Sequence, residues 1–482
     1  MSHPTIIGLI RSTPALWGIF GLAIVVRLVL LVTLHDSYYT AGMAQGELAR
    51  NIAEGRGFVV NEIVAAEAGR LQDSLRRLVD VEDVLAGMEP HDSPEHLRPF
   101  IAYMMPGQGI LLAGTYRLFG EYRYIYLQSL QVVVDSIGVF LLFWLGTMLF
   151  GAKVGLITSL LFAVYIPEAR LAISATRDAW MPILYLSSAC ALVFAWKTDS
   201  PKGWLILGLC VAVGAYFRSE ILLLPFFALA VKFIIERRIQ PVLKPALLAL
   251  LPIVLLITPW SIRNSMVFDR ILPTNSGLWL AMWQSFGEYE NDFGAVNNDV
   301  VTFQQTREWG YTAAFDTPEY DDIFRARVLQ VVSERPVWVA WTVIRRLARI
   351  PFQMHAWGIS STEDMVPGNE SYPVGKVDVG SYWNYITGDP LRFITHLIAR
   401  GVNVVLYASV AIWFFSIGRN ARLEGLLLLI VPLYNILVHA VIGVHARYIL
   451  PTNEILLLFP VALFAPWFIH YFSFGPPSIQ QQ

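Results

Sequence analysis

The sequence predicts an all-α polytopic membrane protein of about ten transmembrane helices, with interfacial helices gathered on one side. Three observations carry this. Only 15% of the 482 residues are charged and 55% are hydrophobic, whereas a soluble domain carries roughly 25% charged residues. Apolar windows of about twenty residues, long enough to cross a bilayer core, recur along the chain. The basic residues of the short loops all fall on one side once those windows are threaded through a membrane. The net charge of −2 gives no electrostatic reason to expect nucleic acid as a partner. The two cysteines, Cys190 and Cys210, both sit inside apolar runs, so neither a disulfide framework nor a cysteine metal site is supported.

In order, residues 1–34 form an N-terminal transmembrane helix, whose apolar run 15–34 is long enough to be retained as a span rather than cleaved as a leader. Residues 35–124 form an extracytoplasmic loop. Within it, Ala66 to Met88 repeats Leu71, Leu75, Leu78, Val79 and Val81 between charges, an amphipathic helix pattern. Met105 to Leu118 is apolar but short and opens with Met-Pro-Gly, which fits an interfacial or re-entrant helix. Residues 125–259 form a transmembrane bundle with spans 125–149, 154–171, 179–196, 203–217, 220–236 and 243–259. Residues 260–390 form a second extracytoplasmic segment. Its stretch Pro336 to Phe352 mixes Trp338, Val339, Trp341 and Ile344 with Arg345, Arg346 and Arg349. Counting that stretch as a span would invert the charge pattern downstream, so it belongs in the interface. Residues 391–482 carry the C-terminal spans 391–416, 422–441 and 449–470. With both termini cytoplasmic, the inside loops hold Arg11, Lys153, Lys197, Lys202, Arg237, Arg238, Lys244, Arg419 and Arg422.

On this topology, ionisable residues end the spans on the opposite side. Asp36 follows the first helix, Arg177 and Asp178 open the fourth, and Arg218 and Glu220 lie between the fifth and sixth. Arg263 follows the seventh, within Trp260-Ser-Ile-Arg-Asn264, and His439, His445, Arg447 and Tyr448 lie between the last two. For any one of them, interfacial snorkelling with charges paired across helices is the weightier reading. For the set, all on one side, a substrate site outweighs it. Three arginines, Arg218, Arg263 and Arg447, are what a phosphate or pyrophosphate group needs. The acids among them are suited to hold a divalent cation, position a hydroxyl or neutralise the arginines.

An ordered set of short motifs sharpens this: ARNIAEGRGF (Ala49 to Phe58), MPGQGILLAGTYRLFG (Met105 to Gly120), LFGAKVG (Leu149 to Gly155), AVYIP (Ala163 to Pro167), GAYFRSE (Gly214 to Glu220), PWSIRN (Pro259 to Asn264) and HARYILP (His445 to Pro451). Together they resemble the GT-C superfamily of polytopic glycosyltransferases, in the bacterial branch related to protein O-mannosyltransferases and the lipid A aminoarabinose transferase. The resemblance runs from about residue 30 to 460. It implies an inverting enzyme of the bacterial inner membrane. The enzyme would take a sugar from a polyprenyl-phosphate donor on the extracytoplasmic face and pass it to a hydroxyl of a protein, lipid or glycan.

The resemblance implies a catalytic acid, with Asp36 favoured and Glu47 second, and Asp36 as the residue that would hold a divalent cation, Mg or Mn. It implies Arg218, Arg263, Arg447, Tyr448, Asn264 and Trp260 as binders of the lipid phosphate, with Arg177, Asp178, Glu220, His439 and His445 in support. Where such relatives carry an acidic pair, this chain has Thr40, Ala41 and Ala44, and their Pro-Gly-Tyr-Pro survives only as Pro106-Gly107. Glu47 also stands three residues before Arg50, where a helical ion pair would explain it. A diverged, non-catalytic member that serves in assembly of a membrane complex is therefore the alternative. A transporter would call for inverted repeats and helices broken near the midplane, and neither is visible.

Overall fold

The computed structural model describes residues 13–34, 43–61, 97–100, 104–313, 317–352, 390–416, 419–444 and 446–464. Asp36, His445 and the Ala66 to Met88 pattern lie outside the described residues. The fold is all-α and polytopic. Its helices are α1 (Ala15–Leu34), α2 (Met43–Ala53), α3 (Gly107–Phe119), α4 (Tyr124–Ser136), α5 (Gly138–Phe150), α6 (Ala152–Ala163), α7 (Ile166–Ala172), α8 (Met181–Thr198), α9 (Pro201–Ala215), α10 (Leu224–Glu236) and α11 (Gln240–Phe268). There follow α12 (Leu278–Phe286), α13 (Asp299–Glu308), α14 (Pro318–Glu334), α15 (Pro336–Arg349), α16 (Pro390–Ser416), α17 (Arg419–Ile442), α18 (Ala446–Ile449) and α19 (Asn453–Leu456). An antiparallel ribbon, β1 (Val59–Asn61) with β2 (Leu97–Pro99), pairs Val60 with Arg98.

Among the described residues, six helical runs are long and apolar enough to cross a membrane: α1, Tyr124–Phe150, Arg177–Thr198, α11, Leu423–Ile442 and Arg447–Phe464. A seventh is added if α6 and α7, bent by 62° against each other, are one broken span. This is fewer than the ten windows of the sequence. The window 203–217 folds as the 15-residue α9, and 220–236 as a 3-10 turn followed by the 13-residue α10. The window 391–416 lies within the 27-residue helix α16, of which Arg400–Ser416 counts as a shorter apolar helix among the described residues. A helix of fifteen residues rises about 22 Å, short of the roughly 30 Å hydrocarbon core.

Small residues set the helix spacing in the bundle, as membrane helix packing requires. A Cβ on Gly146 of α5 would stand 2.6 Å from the Gly155 Cα of α6, and one on Gly208 of α9 would collide with the Ala249 carbonyl of α11. α11 buries a single stripe, Val242, Pro245, Ala249, Ile253, Ile257, Trp260 and Asn264. Leu243, Leu247, Leu251 and Val254 stay exposed on its other side, the surface a lipid-facing helix presents. α15 is amphipathic in the reverse sense. It buries Thr342 and Arg346 while Val337, Trp341 and Ile344 are exposed, the pattern of a helix lying in a membrane interface.

Counting apolar windows also passed over a buried ionic cluster. Arg27 of α1, fully buried, donates through Nε to Asp135 of α4, and its guanidinium lies 4.7 Å from the Phe162 ring centre. Glu168 and Glu454, buried as well, lie in the field of this pair. Breaking such a pair strands a charge in a medium that cannot solvate it. Arg27→Met should therefore destabilise the protein by about 3–5 kcal/mol, and Arg27→Met with Asp135→Leu should recover much of that. Thermal unfolding of both variants in detergent checks this; equal midpoints for the two would refute it.

Candidate functional site

The α9–α10 connection supplies the centre of the site. Arg218 leaves the helix with extended backbone (φ −142, ψ 112) ahead of the 3-10 turn Ser219–Leu223, which turns its guanidinium towards the start of α8. There Arg218 Nη1 donates to Asp178 Oδ1 at 2.5 Å, and Nε donates to Glu220 of its own turn. Tyr434 of α17 donates its hydroxyl to the Glu220 carbonyl oxygen. Across the bundle, the Tyr448 ring lies between two partners. Arg218 Cζ is 4.0 Å from its centre, and the His439 ring stacks on it at 5.1 Å. Asn435 fixes this residue by donating to the Tyr448 carbonyl at 2.9 Å. Arg447 Nη2 donates to the Tyr448 hydroxyl at 3.2 Å, and its Nε is 3.7 Å from Asp178 Oδ2. His439 Nε2 is 3.8 Å from Glu220 Oε1.

The charges do not cancel. Arg177, Arg218 and Arg447 act on the two carboxylates Asp178 and Glu220, leaving one positive charge, His439 aside. Arg218 and Glu220 lie in the connection, outside the six spans. Burial would push the Glu220 carboxyl up, but the Arg218 guanidinium overrides it and holds the group below the ordinary glutamate range. Burial opposes the charge on Arg218, yet Glu220 and Asp178 hold it well above its ordinary value. The pair is thus ionised at neutral pH and Arg218 is saturated. Arg447 is the accessible cation, with 59% of its side chain exposed.

Of the residues proposed from sequence, Arg177, Asp178, Arg218, Glu220, His439, Arg447 and Tyr448 converge here. Arg263, Asn264 and Trp260 form a different group. Arg263 Nη1 donates to the Phe100 carbonyl (3.0 Å) and to Asn264 Oδ1 (3.0 Å), and Nη2 donates to the Phe58 carbonyl (3.2 Å). It thereby holds both strands of the β1–β2 ribbon, at the end where Phe58 and Phe100 meet, against α11. Trp260 packs edge-on against Phe58 at 5.5 Å, and Asn264 Nδ2 donates to the Thr274 carbonyl at 2.7 Å.

Glu47 is half-buried on α2, and Arg50 donates to Glu54 at 2.9 Å. α2 meets the site through α3. Gln45 accepts from the Gly109 N–H at 2.9 Å, Gln108 accepts from Trp180 Nε1 at 2.8 Å, and Trp180 stacks on Phe217 at 5.4 Å. The sequence reading missed Gln108, Trp180, Tyr434 and Asn435. Gln108 carried a signal, a buried amide directly after Pro106-Gly107.

Residues 104–262, about a third of the chain, match the family model described as dolichyl-phosphate-mannose-protein mannosyltransferase. The matched segment is a GT-C domain. It contains Gln108, Asp178, Arg218 and Glu220, and it ends before Arg263, Arg447 and Tyr448. A comparison with curated proteins finds no match. The matched segment and the apolar helices support an integral membrane glycosyltransferase of the GT-C type.

The two arginine groups separate by stability. Arg263→Ala should lower the unfolding midpoint because two carbonyls lose a charged donor, an effect of about 1.5–3 kcal/mol. Arg447→Ala, which removes an exposed side chain, should move it by no more than about 0.5 kcal/mol. Differential scanning fluorimetry in detergent measures both, and the reverse order would refute this assignment.

Proposed function

We propose that the protein transfers a sugar from a polyprenyl-phosphate donor to an acceptor hydroxyl, with inversion, at the extracytoplasmic face of a bacterial inner membrane. The observation that carries this is the uncancelled positive charge at the end of the bundle, with Arg447 exposed and the Tyr448 hydroxyl beside it. A glycosyl phosphodiester carries one negative charge, which that surplus matches. Positive loop charge on the opposite side of the bundle supports the choice of face.

The roles follow from the contacts. Arg447 and Arg177 pair with the donor phosphate. Arg218, held by Asp178 and Glu220, is a positioning residue that keeps Tyr448 flat beneath Arg447. When the acceptor oxygen bonds to the anomeric carbon, the bond from that carbon to the phosphate oxygen breaks. The phosphate then carries a second negative charge, and Arg447 and the Tyr448 hydroxyl stabilise that charge as it develops. The acceptor proton passes to a carboxylate, Asp36 first and Glu47 second in this reading.

Among the described residues, no three His, Cys, Asp or Glu side chains converge to hold a metal ion, and Asp178 and Glu220 are occupied by Arg218. Asp36, the residue that would hold Mg or Mn, lies outside the described residues. That both carboxylates are occupied also favours a second reading, a non-catalytic assembly subunit.

Thermal unfolding with and without polyprenyl-phosphate mannose distinguishes the two. A donor raises the midpoint as its concentration passes its dissociation constant. That shift should vanish in Arg447→Ala, and transfer by Arg447→Ala should fall about 100- to 1,000-fold. No shift with any polyprenyl-phosphate sugar, in folded protein, would leave the assembly reading standing.

A further inference from the structure

A cavity of about 110 Å³ opens in the second polar segment, between α12 and the C-terminal half of α14. Trp283 and Phe293 supply aromatic lining. Arg327, Gln330 and Glu334, spaced by three and four residues along α14, form a polar wall from one helix face. Trp283 is 1% exposed, and its indole N–H has no acceptor among the described residues, although a buried indole N–H ordinarily has one. Gln330 donates to Glu334 at 2.9 Å, which orders the two side chains.

The lining selects its ligand by exclusion. An apolar tail would strip water from Arg327 and Glu334 without replacing it. An anion meets Glu334 in the same wall, and the cations are engaged. Arg335 at the rim pairs with Asp292, and the Arg327 guanidinium lies 3.4 Å from the Trp309 ring centre. A neutral ring with hydroxyls at its edges and C–H groups on its faces meets no such penalty. Its face packs on the partly exposed Phe293 ring, and its vicinal hydroxyls match the Gln330 amide and the Glu334 carboxylate.

We propose that this cavity is a carbohydrate subsite, taking one edge of a neutral pyranose unit of the acceptor. Sites that enclose a whole ligand measure roughly 300 Å³ or more, so most of the sugar stays in solvent. The word acceptor rests on the glycosyltransferase reading; the binding of a neutral sugar does not. The two sites are also connected. Two residues beyond α12, Glu288 Oε1 accepts from the Val444 N–H at 3.3 Å, and Val444 lies three residues before Arg447.

Saturation-transfer NMR on the full-length protein in detergent tests this, with methyl α-mannoside and mannobiose as neutral probes and mannose phosphate as the anionic one. Both neutral sugars should receive saturation. Gln330→Ala with Glu334→Ala should weaken their binding by at least about tenfold without moving the unfolding midpoint, since both side chains are exposed. Arg447→Ala should bind them as the parent does. Absence of transfer to neutral sugars, preference for the phosphate, indifference to the double variant, or loss in Arg447→Ala would each overturn the proposal. Neutral-sugar binding together with a failed donor shift would keep the subsite and remove the transferase reading.

Discussion

The buried contact of Arg218 with Asp178 and Glu220 is the interaction on which this end of the bundle depends. Each charge lost its water when the helices packed, and each is tolerable only because the others stand within hydrogen-bond reach. The contact joins the start of α8 to the α9–α10 connection. Through the Tyr448 ring under Arg218, it also joins the segment that follows α17. Three stretches far apart in sequence are thus placed by one side chain. Three arginines face two carboxylates, so one positive charge, presented at the exposed Arg447, remains available to a ligand.

The same physics recurs where the second polar segment meets the bundle. Glu288 is buried between Arg346 and Arg349 of α15, at 3.3 and 3.0 Å. Arg346 also donates to the Ala440 and Val441 carbonyls at 3.2 and 3.1 Å. These are among the last carbonyls of α17, left without helical partners and carrying the negative end of the helix dipole, so a guanidinium there satisfies both. The arginines that made 336–352 read as a basic interfacial stretch point inward, and Val337, Trp341 and Ile344 face out. Sequence pattern gave the helix and its amphipathicity. The inward direction of its charged face depended on Glu288, fifty-eight residues away from Arg346.

Much of the fold was legible because hydropathy is additive along the chain. The windows at 15–34, 125–149 and 179–196 each became helix over nearly the same residues. The windows at 203–217 and 220–236 show where that additivity ends. Their composition is that of a span, while length and the Arg218 turn limit the helices to fifteen and thirteen residues. Arg27 and Asp135 illustrate a second limit. Averaging over an apolar window hides a single charge, and only its partner on another helix, 108 residues away, explains why it is tolerated. In the site, span ends sorted to one side identified Asp178, Arg218, Glu220, His439, Arg447 and Tyr448. Gln108, Trp180 and Asn435 escaped because neutral amides and indoles in apolar surroundings leave no charge signal.

Arg263 shows how a residue can be near a site in motif order and still act on it only through structure. Its guanidinium is used up on the Phe58 and Phe100 carbonyls, so it fixes the ribbon. The ribbon is tied to α2 by Asn51, whose amide donates to the Val59 carbonyl at 2.8 Å. α2 is tied to α3 by Gln45 and the Gly109 N–H, and α3 reaches α8 through Gln108 and Trp180, two residues from Asp178. A continuous chain of hydrogen bonds and helix contacts therefore runs from the PWSIRN stretch to the arginine cluster, with Glu47 carried on the helix in its middle. Its links are the side-chain amides of Asn51, Gln45 and Gln108, each bonded to a main-chain group or an indole with directional geometry. Arg263 therefore touches the ribbon and reaches Glu47 and the Arg447 cluster only through these intervening contacts.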